Sequence, residues 1–246
     1  MRLLLNIITL FFFLNSLNAQ NADYEIPLSK PSAPGLVKID VYNAGIRVKA
    51  HDYNTVNLRI IDKRGVLTNK KGSPEFHNQI LEEDNKILIV NRERSRMKGL
   101  FIELELPRNF SVNLETYFGP MIEVEGLQGE VEVKGYWTDV TLQQLTGNVI
   151  ASTNIGKMKL ELDVVNPSNT YFLSCYKKDL EIFLPAQASA YFVMDNNFGR
   201  FDSDFKLQLD TKELAKGNYI RRVLNGGGAE MKLINYFGKI LIRKKD

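Results

Sequence analysis

Four pairs of carboxylates stand two residues apart in this chain: Glu103 with Glu105, Glu123 with Glu125, Glu130 with Glu132, and Asp202 with Asp204. On one face of an extended strand such residues lie about 6.5 to 7 Å apart. That separation suits inverting glycoside hydrolysis, in which one carboxyl protonates the leaving oxygen and the other activates a water. Arg200 joins the last pair. Arg200, Asp202 and Asp204 have the makings of calcium-assisted polysaccharide cleavage, in which carboxylate oxygens hold the metal and a basic residue takes a proton. Two arguments weigh against catalysis. Alternating strands put a polar residue at every second position, so four pairs with one spacing follow from the alternation itself. Aspartates beside a turn also commonly accept hydrogen bonds from local backbone amides.

The remaining reactive residues are few. His51 and His77 fall in turns, with no metal-ligand spacing to each other or to Cys175. Cys175, within the apolar run Tyr171–Tyr176, reads as a small buried hydrophobe, since a nucleophilic thiol needs a nearby base. Gly226-Gly227-Gly228 lacks the lysine and the helix of a phosphate loop and reads as a tight turn. No nucleophile elbow, dinucleotide fingerprint or zinc-peptidase helix is present. The charged run 91–98 reads as a solvated hairpin loop, with a phosphate-rich or lipid surface as the sharper alternative. The expectation is a protein with no catalytic, cofactor-binding or metal-binding residues.

The elements that carry these residues are strands. From Gly119 to Leu162 the chain repeats a glycine followed by a short alternation of apolar and polar residues. A period of two sends side chains to opposite faces. Ile122, Val124, Val131, Val133, Val140, Leu142, Met158, Leu160 and Leu162 form the core face. Glu123, Glu125, Glu130, Glu132, Lys157 and Lys159 form the wet one. The recurring glycines mark turns that need a positive φ or leave no room for a Cβ. Strands this short cannot bury an apolar face alone and must stack, the logic of a repeat protein.

Outside that stretch the same rhythm gives three strands between Val37 and Ile60, and two alternating strands ended by proline, Phe101–Pro107 and Asp179–Pro185. An aromatic precedes a glycine three times, at Tyr117-Phe118-Gly119, Asn197-Phe198-Gly199 and Tyr236-Phe237-Gly238. These predict one corner used repeatedly, with the aromatics filling core. Pro27, Pro31 and Pro34 mark residues 20–35 as an extended leader. Residues 62–79 predict a long loop, and 210–217 one short helix.

Composition bounds the rest. Arg2, the mostly apolar run Leu3–Leu14 and the small residue Ala19 predict an export signal over residues 1–19. Its removal takes one basic residue and changes the net charge from +3 to +2. So balanced a chain has no basic field for nucleic acid, and no later segment is apolar enough to cross a membrane. A single cysteine excludes an internal disulfide.

The glycine-led rungs from Gly119 to Leu162, Pro185 leading into Gly199–Phe205, and the closing Leu224–Gly228 with Gly238–Ile242 resemble the putative-adhesin family of exported bacterial domains of unknown function. The resemblance covers residues 36–246 and implies a β-solenoid with no established catalytic residues. The combined expectation is an all-β, single-domain β-solenoid, a β-helix-like stack of short glycine-punctuated strands. It would be exported to the periplasm or cell surface as a non-catalytic surface, scaffold or adhesive module, with an envelope glycan or another surface protein as partner and no cofactor. The alternative is a polysaccharide-active enzyme, a lyase or glycosidase, on a stacked-strand fold.

Overall fold

In the computed structural model, which describes residues 23–64, 80–91, 98–209 and 220–245, the alternating stretches are strands and no described residue is helical. The first part of the chain forms β1 (Asp23–Ile26), β2 (Leu36–Val41), β3 (Gly45–His51), β4 (Val56–Asp62), β5 (Ile80–Glu83), β6 (Lys86–Asn91) and β7 (Leu100–Pro107). The middle runs β8 (Ser111–Thr116), β9 (Met121–Glu125), β10 (Val131–Gly135), β11 (Asp139–Gln143), β12 (Val149–Thr153), β13 (Met158–Glu161), β14 (Thr170–Cys175) and β15 (Leu180–Leu184). The tail adds β16 (Ala190–Asn196), β17 (Arg200–Ser203), β18 (Gln208–Leu209), β19 (Ile220–Leu224), β20 (Ala229–Asn235) and β21 (Lys239–Lys244).

These strands form two large sheets. One is ordered β1-β4-β7-β3-β9-β11-β13-β15-β21-β17, the other β18-β19-β16-β20-β14-β12-β10-β8-β2-β6-β5. Laid side by side, the two orders match tier by tier: β6 with β7, β2 with β3, β8 with β9, β10 with β11, β12 with β13, β14 with β15, β20 with β21, β16 with β17. Neighbouring tiers pair in parallel. Antiparallel strands close three of the four sheet ends, through β4 on β7, β5 on β6 and β19 on β16. In the middle, chain order and tier order agree. At both ends they do not: β2 and β3 lie inside β6 and β7, and the C-terminal pair β20 and β21 lies between β14–β15 and β16–β17.

Register makes the core. Val112, Val131, Val149, Tyr171 and Met231 are successive partners in one sheet, and Ile122, Val140, Met158, Leu180 and Ile240 in the other. All ten are buried, and both columns belong to one cluster. Each fully buried aliphatic of this kind is worth about 1.5–3 kcal/mol over the same side chain in water. The residues expected inside from Ile122 to Leu162 are inside, and Glu123, Glu125, Lys157 and Lys159 lie on the outer face.

The turn glycines divide between the two expected reasons: Gly126 has a φ of +81°, while Gly129 and Gly147 follow the second. Gly129 and Gly147 are not in the left-handed region; a Cβ would sit 2.3 Å from the Phe110 carbonyl oxygen at Gly129 and 2.1 Å from the Gly129 carbonyl oxygen at Gly147. Tier stacking, rather than φ, requires glycine there. The two proline stops are equivalent: Phe110 N–H donates to the Pro107 carbonyl and Ala188 N–H to the Pro185 carbonyl, so each proline opens the same tight turn into the second sheet.

Residues 20–35, expected as an extended leader and not a packed element, are packed where described. β1 pairs antiparallel with β4 and buries Ile26. Ser29 then donates from its backbone N–H and its hydroxyl to Glu82, and Lys30 N–H donates to Asn85 Oδ1. The segment thus crosses the end of the stack, from one sheet to the β5–β6 hairpin of the other. The export signal 1–19, most of the 62–79 loop with His77, the 92–97 part of the charged run and the helix expected over 210–217 lie outside the described residues.

Candidate functional site

At the ends of β8, β12, β14 and β20 in the eleven-stranded sheet the chain turns toward the other sheet, and the last strand residue points inward with a short polar side chain. Thr116, Thr153, Cys175 and Asn235 form one column, linked through Gly135 by strand register. Each caps a corner carbonyl: Thr116 Oγ1 donates to Ala44 at 2.9 Å, Thr153 Oγ1 to Thr138 at 2.7 Å, Cys175 Sγ to Gly156 at 3.2 Å and Asn235 Nδ2 to Lys178 at 2.7 Å. A bend in buried backbone leaves carbonyls outside the ladder, and these groups satisfy them. Glycines allow the approach: a Cβ on Gly119, Gly156 or Gly238 would lie 2.0, 1.8 or 2.1 Å from a neighbouring tier's carbonyl oxygen.

The two residues after each polar cap are turned out to solvent, and there the aromatics collect. Corner amides continue the ladder from tier to tier: Trp137 N–H donates to the Tyr117 carbonyl, Ile155 to Tyr136, Lys177 to Asn154, Phe237 to Tyr176 and Phe198 to Tyr236. On the N-terminal side Tyr42 stacks on Tyr117 at 4.7 Å, Tyr117 on Tyr136 at 5.5 Å, and Phe118 meets Trp137 edge-on at 5.9 Å. On the C-terminal side Tyr176 stacks on Tyr236 at 5.0 Å and Phe237 on Phe198 at 5.6 Å. Phe118, Trp137, Phe198 and Phe237 are exposed, with Phe198 reaching 70%. This corrects the expectation that corner aromatics fill core. The row spans seven tiers, six of them bearing a ring, a length of about 29 Å at the usual strand spacing.

Polar groups edge the row. The Tyr117 hydroxyl donates to the Glu115 carboxylate, which pushes its pKa up to about 12 and keeps it a neutral donor through the physiological range. Asn154 is exposed in the row itself, on the tier between those of Tyr136 and Tyr176, and Lys177 follows one tier on.

The carboxylate pairs are elsewhere, on the outer faces of the sheets. Arg47 lies between Glu103 and Glu123, donating to each at 3.0 and 2.9 Å. Glu105 accepts from Asn57 at 3.3 Å, and Glu125 lies 4.0 Å from Lys49. Glu132 accepts from Asn113 and Lys134, both at 2.6 Å. A shallow groove of about 340 Å³ runs between the first two pairs, floored by the strands and lined by these paired charges.

Asp202 and Asp204 are brought together, but by Arg243 of β21 at 2.8 and 3.0 Å and not by Arg200, which sits exposed at the start of β17. The Arg243 guanidinium holds the Asp202 carboxyl below its usual range. A general acid needs the opposite shift. Cys175 is buried as expected, and burial pushes its thiol up to about 11, away from nucleophilic thiolate. His51 accepts from the Tyr53 N–H through Nδ1 and leans on the Tyr53 ring at 5.5 Å, a turn role. Among the described residues no three His, Cys, Asp or Glu side chains gather as a metal site, and no helix is long and apolar enough to cross a membrane.

Of the site residues, Tyr117, Phe118, Phe198, Tyr236 and Phe237 were marked by their glycines. Tyr42, Tyr136, Trp137 and Tyr176 were missed, because Ala44, Thr138 or Lys178 stands where the glycine would be. The signal that finds them is register: each follows directly on a strand of the eleven-stranded sheet.

Fold and corner together define an all-β protein of paired parallel sheets with an aromatic row along one edge. It is similar to a putative cell adhesion protein from Clostridium sporogenes ATCC 15579, with a TM-score of 0.49 at 9% identity over 92% of this chain and 100% of that one. It is also similar to a putative adhesin from Bacteroides fragilis NCTC 9343, with a TM-score of 0.41 at 11% identity over 91% and 96% of the two chains. No family model and no curated protein matches the chain.

Proposed function

We propose that this chain is a non-catalytic, exported binding module of the bacterial envelope, a β-solenoid with two sheets as its walls, which holds an extended glycan along its aromatic corner. The observation that carries the reading is the exposed row itself. Monomers seldom leave large apolar groups in contiguous solvent-facing patches without a partner for them. Here tyrosine, tryptophan and phenylalanine repeat along a line while the core remains complete without them.

A glycan suits that line. The C–H bonds of a pyranose face are weakly positive and meet the negative face of an aromatic ring where the stack leaves a face open, as at Tyr136 and Tyr176. Its hydroxyls need donors and acceptors at the sides, which Glu115, Asn154 and Lys177 offer. Parallel tiers at a constant spacing present a polymer with a regular surface. The paired carboxylates support the non-catalytic half of the reading, since Glu103, Glu123, Glu125, Asp202 and Asp204 each already face a cation and Glu105 accepts from the Asn57 amide.

A glycan array and a pull-down from envelope extracts test the proposal, run with the unaltered protein and with a Phe198→Ala, Phe237→Ala double variant. Retention of polysaccharide that falls in the double variant is expected. Empty arrays and extracts would sink the binding role. Release of unsaturated or reducing sugars that depends on Asp202 and Asp204 would replace it with an enzyme.

A further inference from the structure

One tier of the aromatic row carries no ring. The first corner position reads Tyr42, Tyr117, Tyr136, Asn154, Tyr176, Tyr236 and Asn197 from tier to tier, and at Asn197 the second position supplies the ring of Phe198. The backbone ladder runs through Asn154 without a break, since Ile155 N–H donates to the Tyr136 carbonyl and Lys177 N–H to the Asn154 carbonyl. Tyr136 and Tyr176 therefore face each other across two tier intervals, about 9.6 Å. The same two intervals at Tyr42, Tyr117 and Tyr136 hold three stacked rings. Exposure shows the uncovered faces: Tyr136 is 49% exposed and Tyr176 43%, whereas Tyr117 and Tyr236 are half-buried between neighbours.

We infer that the gap over Asn154 is a binding subsite for one pyranose ring of a neutral glycan, which enters between Tyr136 and Tyr176 as the absent member of the stack. The inference rests on the reading of the aromatic corner as a glycan-binding face. Both walls are ring faces, which the two C–H surfaces of a pyranose complement. The floor is polar. The exposed Asn154 amide offers two donors and an acceptor, and Lys177 on the next tier offers an ammonium. A sugar ring uses walls and floor together, while an aromatic side chain from a protein partner would leave the amide unmatched.

Trp137, the single tryptophan of the chain, stands on the tier that borders the gap and reports on it by fluorescence. The experiment titrates the full protein with neutral oligosaccharides of glucose and of N-acetylglucosamine, following heat by calorimetry and Trp137 emission in parallel, with a tyrosine-rich peptide as a second probe. An oligosaccharide that binds and shifts Trp137 emission over the same concentration range is expected. Asn154→Tyr, which fills the gap with a ring, should weaken that binding about tenfold or more, equivalent to ~1.4 kcal/mol. Tyr176→Ala, which removes one wall, should do the same and serves if the first variant does not fold.

Oligosaccharide binding that depends on Phe198 and Phe237 but is unchanged in both gap variants would overturn the subsite and leave the corner reading standing. Binding of no oligosaccharide would overturn both. Capture of the peptide in their place, blocked by Asn154→Tyr, would assign the gap to a protein partner.

Discussion

The middle of the stack and its two ends are built from the same strands in opposite ways. From β8 to β15 each tier lies on the one synthesised just before it, with register partners 19, 18 and 22 residues apart at Val112, Val131, Val149 and Tyr171. At the C-terminal end β20 enters between β14 and β16, and Tyr171 pairs with Met231 across sixty residues of chain. Local pairing costs little loop-closure entropy and can grow tier by tier; distant pairing must wait until the chain has doubled back. The middle is thus a propagating structure, while the ends are closed by strands that arrive out of order.

The strongest way to break this contrast is truncation after Gly228, which removes β20 and β21. Their loss uncovers Tyr171, Leu173, Leu180 and Ile182 on one side and Phe192 and Met194 on the other. The expected cost exceeds the whole stability of a typical domain, on the order of 5–15 kcal/mol, so melting followed by circular dichroism should show no cooperative transition for the C-terminal half. A truncated protein that melts near the full-length temperature would mean that the end tiers are add-ons.

Next in size is Gly147→Val in the middle. Its Cβ would meet the Gly129 carbonyl oxygen at 2.1 Å, and tiers locked on both sides leave no direction to relax. A loss of more than about 3 kcal/mol is expected in denaturant titration. At the C-terminal end, Gly226 has φ +83° with nothing within 4 Å of an added Cβ. Gly226→Ala should therefore cost only about 1 kcal/mol, from backbone conformation alone. Equal costs at the two glycines would erase the distinction between a tier contact and a free turn.

A pH series sharpens the comparison at β17. Arg243 depresses the Asp202 pKa in the folded state, so this contact stabilises above the ordinary aspartate value of 3.8 and the contribution disappears as pH falls through the lower folded value. Asp202→Asn should lower the melting temperature near pH 6, and the two proteins should converge in strong acid. An offset that persists there would assign the effect to packing. The smallest effect is expected at Glu130→Gln on the outer face of the middle, within about 0.5 kcal/mol of the parent.

The same contrast separates what sequence could and could not reveal. Alternation located the core of the middle, down to Met158, Leu160 and Leu162, because inward and outward positions there are fixed by period two and each tier needs only its neighbours. The order of the end tiers is absent from local pattern: nothing in Ala229–Asn235 records that it lies between β14 and β16. The aromatic row was half legible. Tyr117-Phe118-Gly119 announced a corner, but which side of a corner a ring occupies depends on the polar column beneath it. Thr116, Thr153, Cys175 and Asn235 take the inward place and send the following pair out. Arg200 was matched to Asp202 and Asp204 by nearness in sequence, whereas Arg243 comes from a tier formed by the last residues of the chain. The polar stretch 20–35 read as loose because its contacts, Ile26 on the core and Ser29 on Glu82, are made to strands it does not adjoin.

The match of tiers across both sheets also decides how such a molecule can change in length. Antiparallel strands at β4, β5 and β19 break the parallel stacking at the ends, with β1 and β18 paired outside β4 and β19, so the register of the tiers is not continued there. Between β10 and β13 register partners are eighteen residues apart in both sheets, and duplicating the eighteen residues from Gly129 to Thr146 would slide one more tier into place and leave both ends untouched. The reach of the aromatic edge is in that sense an adjustable quantity, set by the number of copies in the interior.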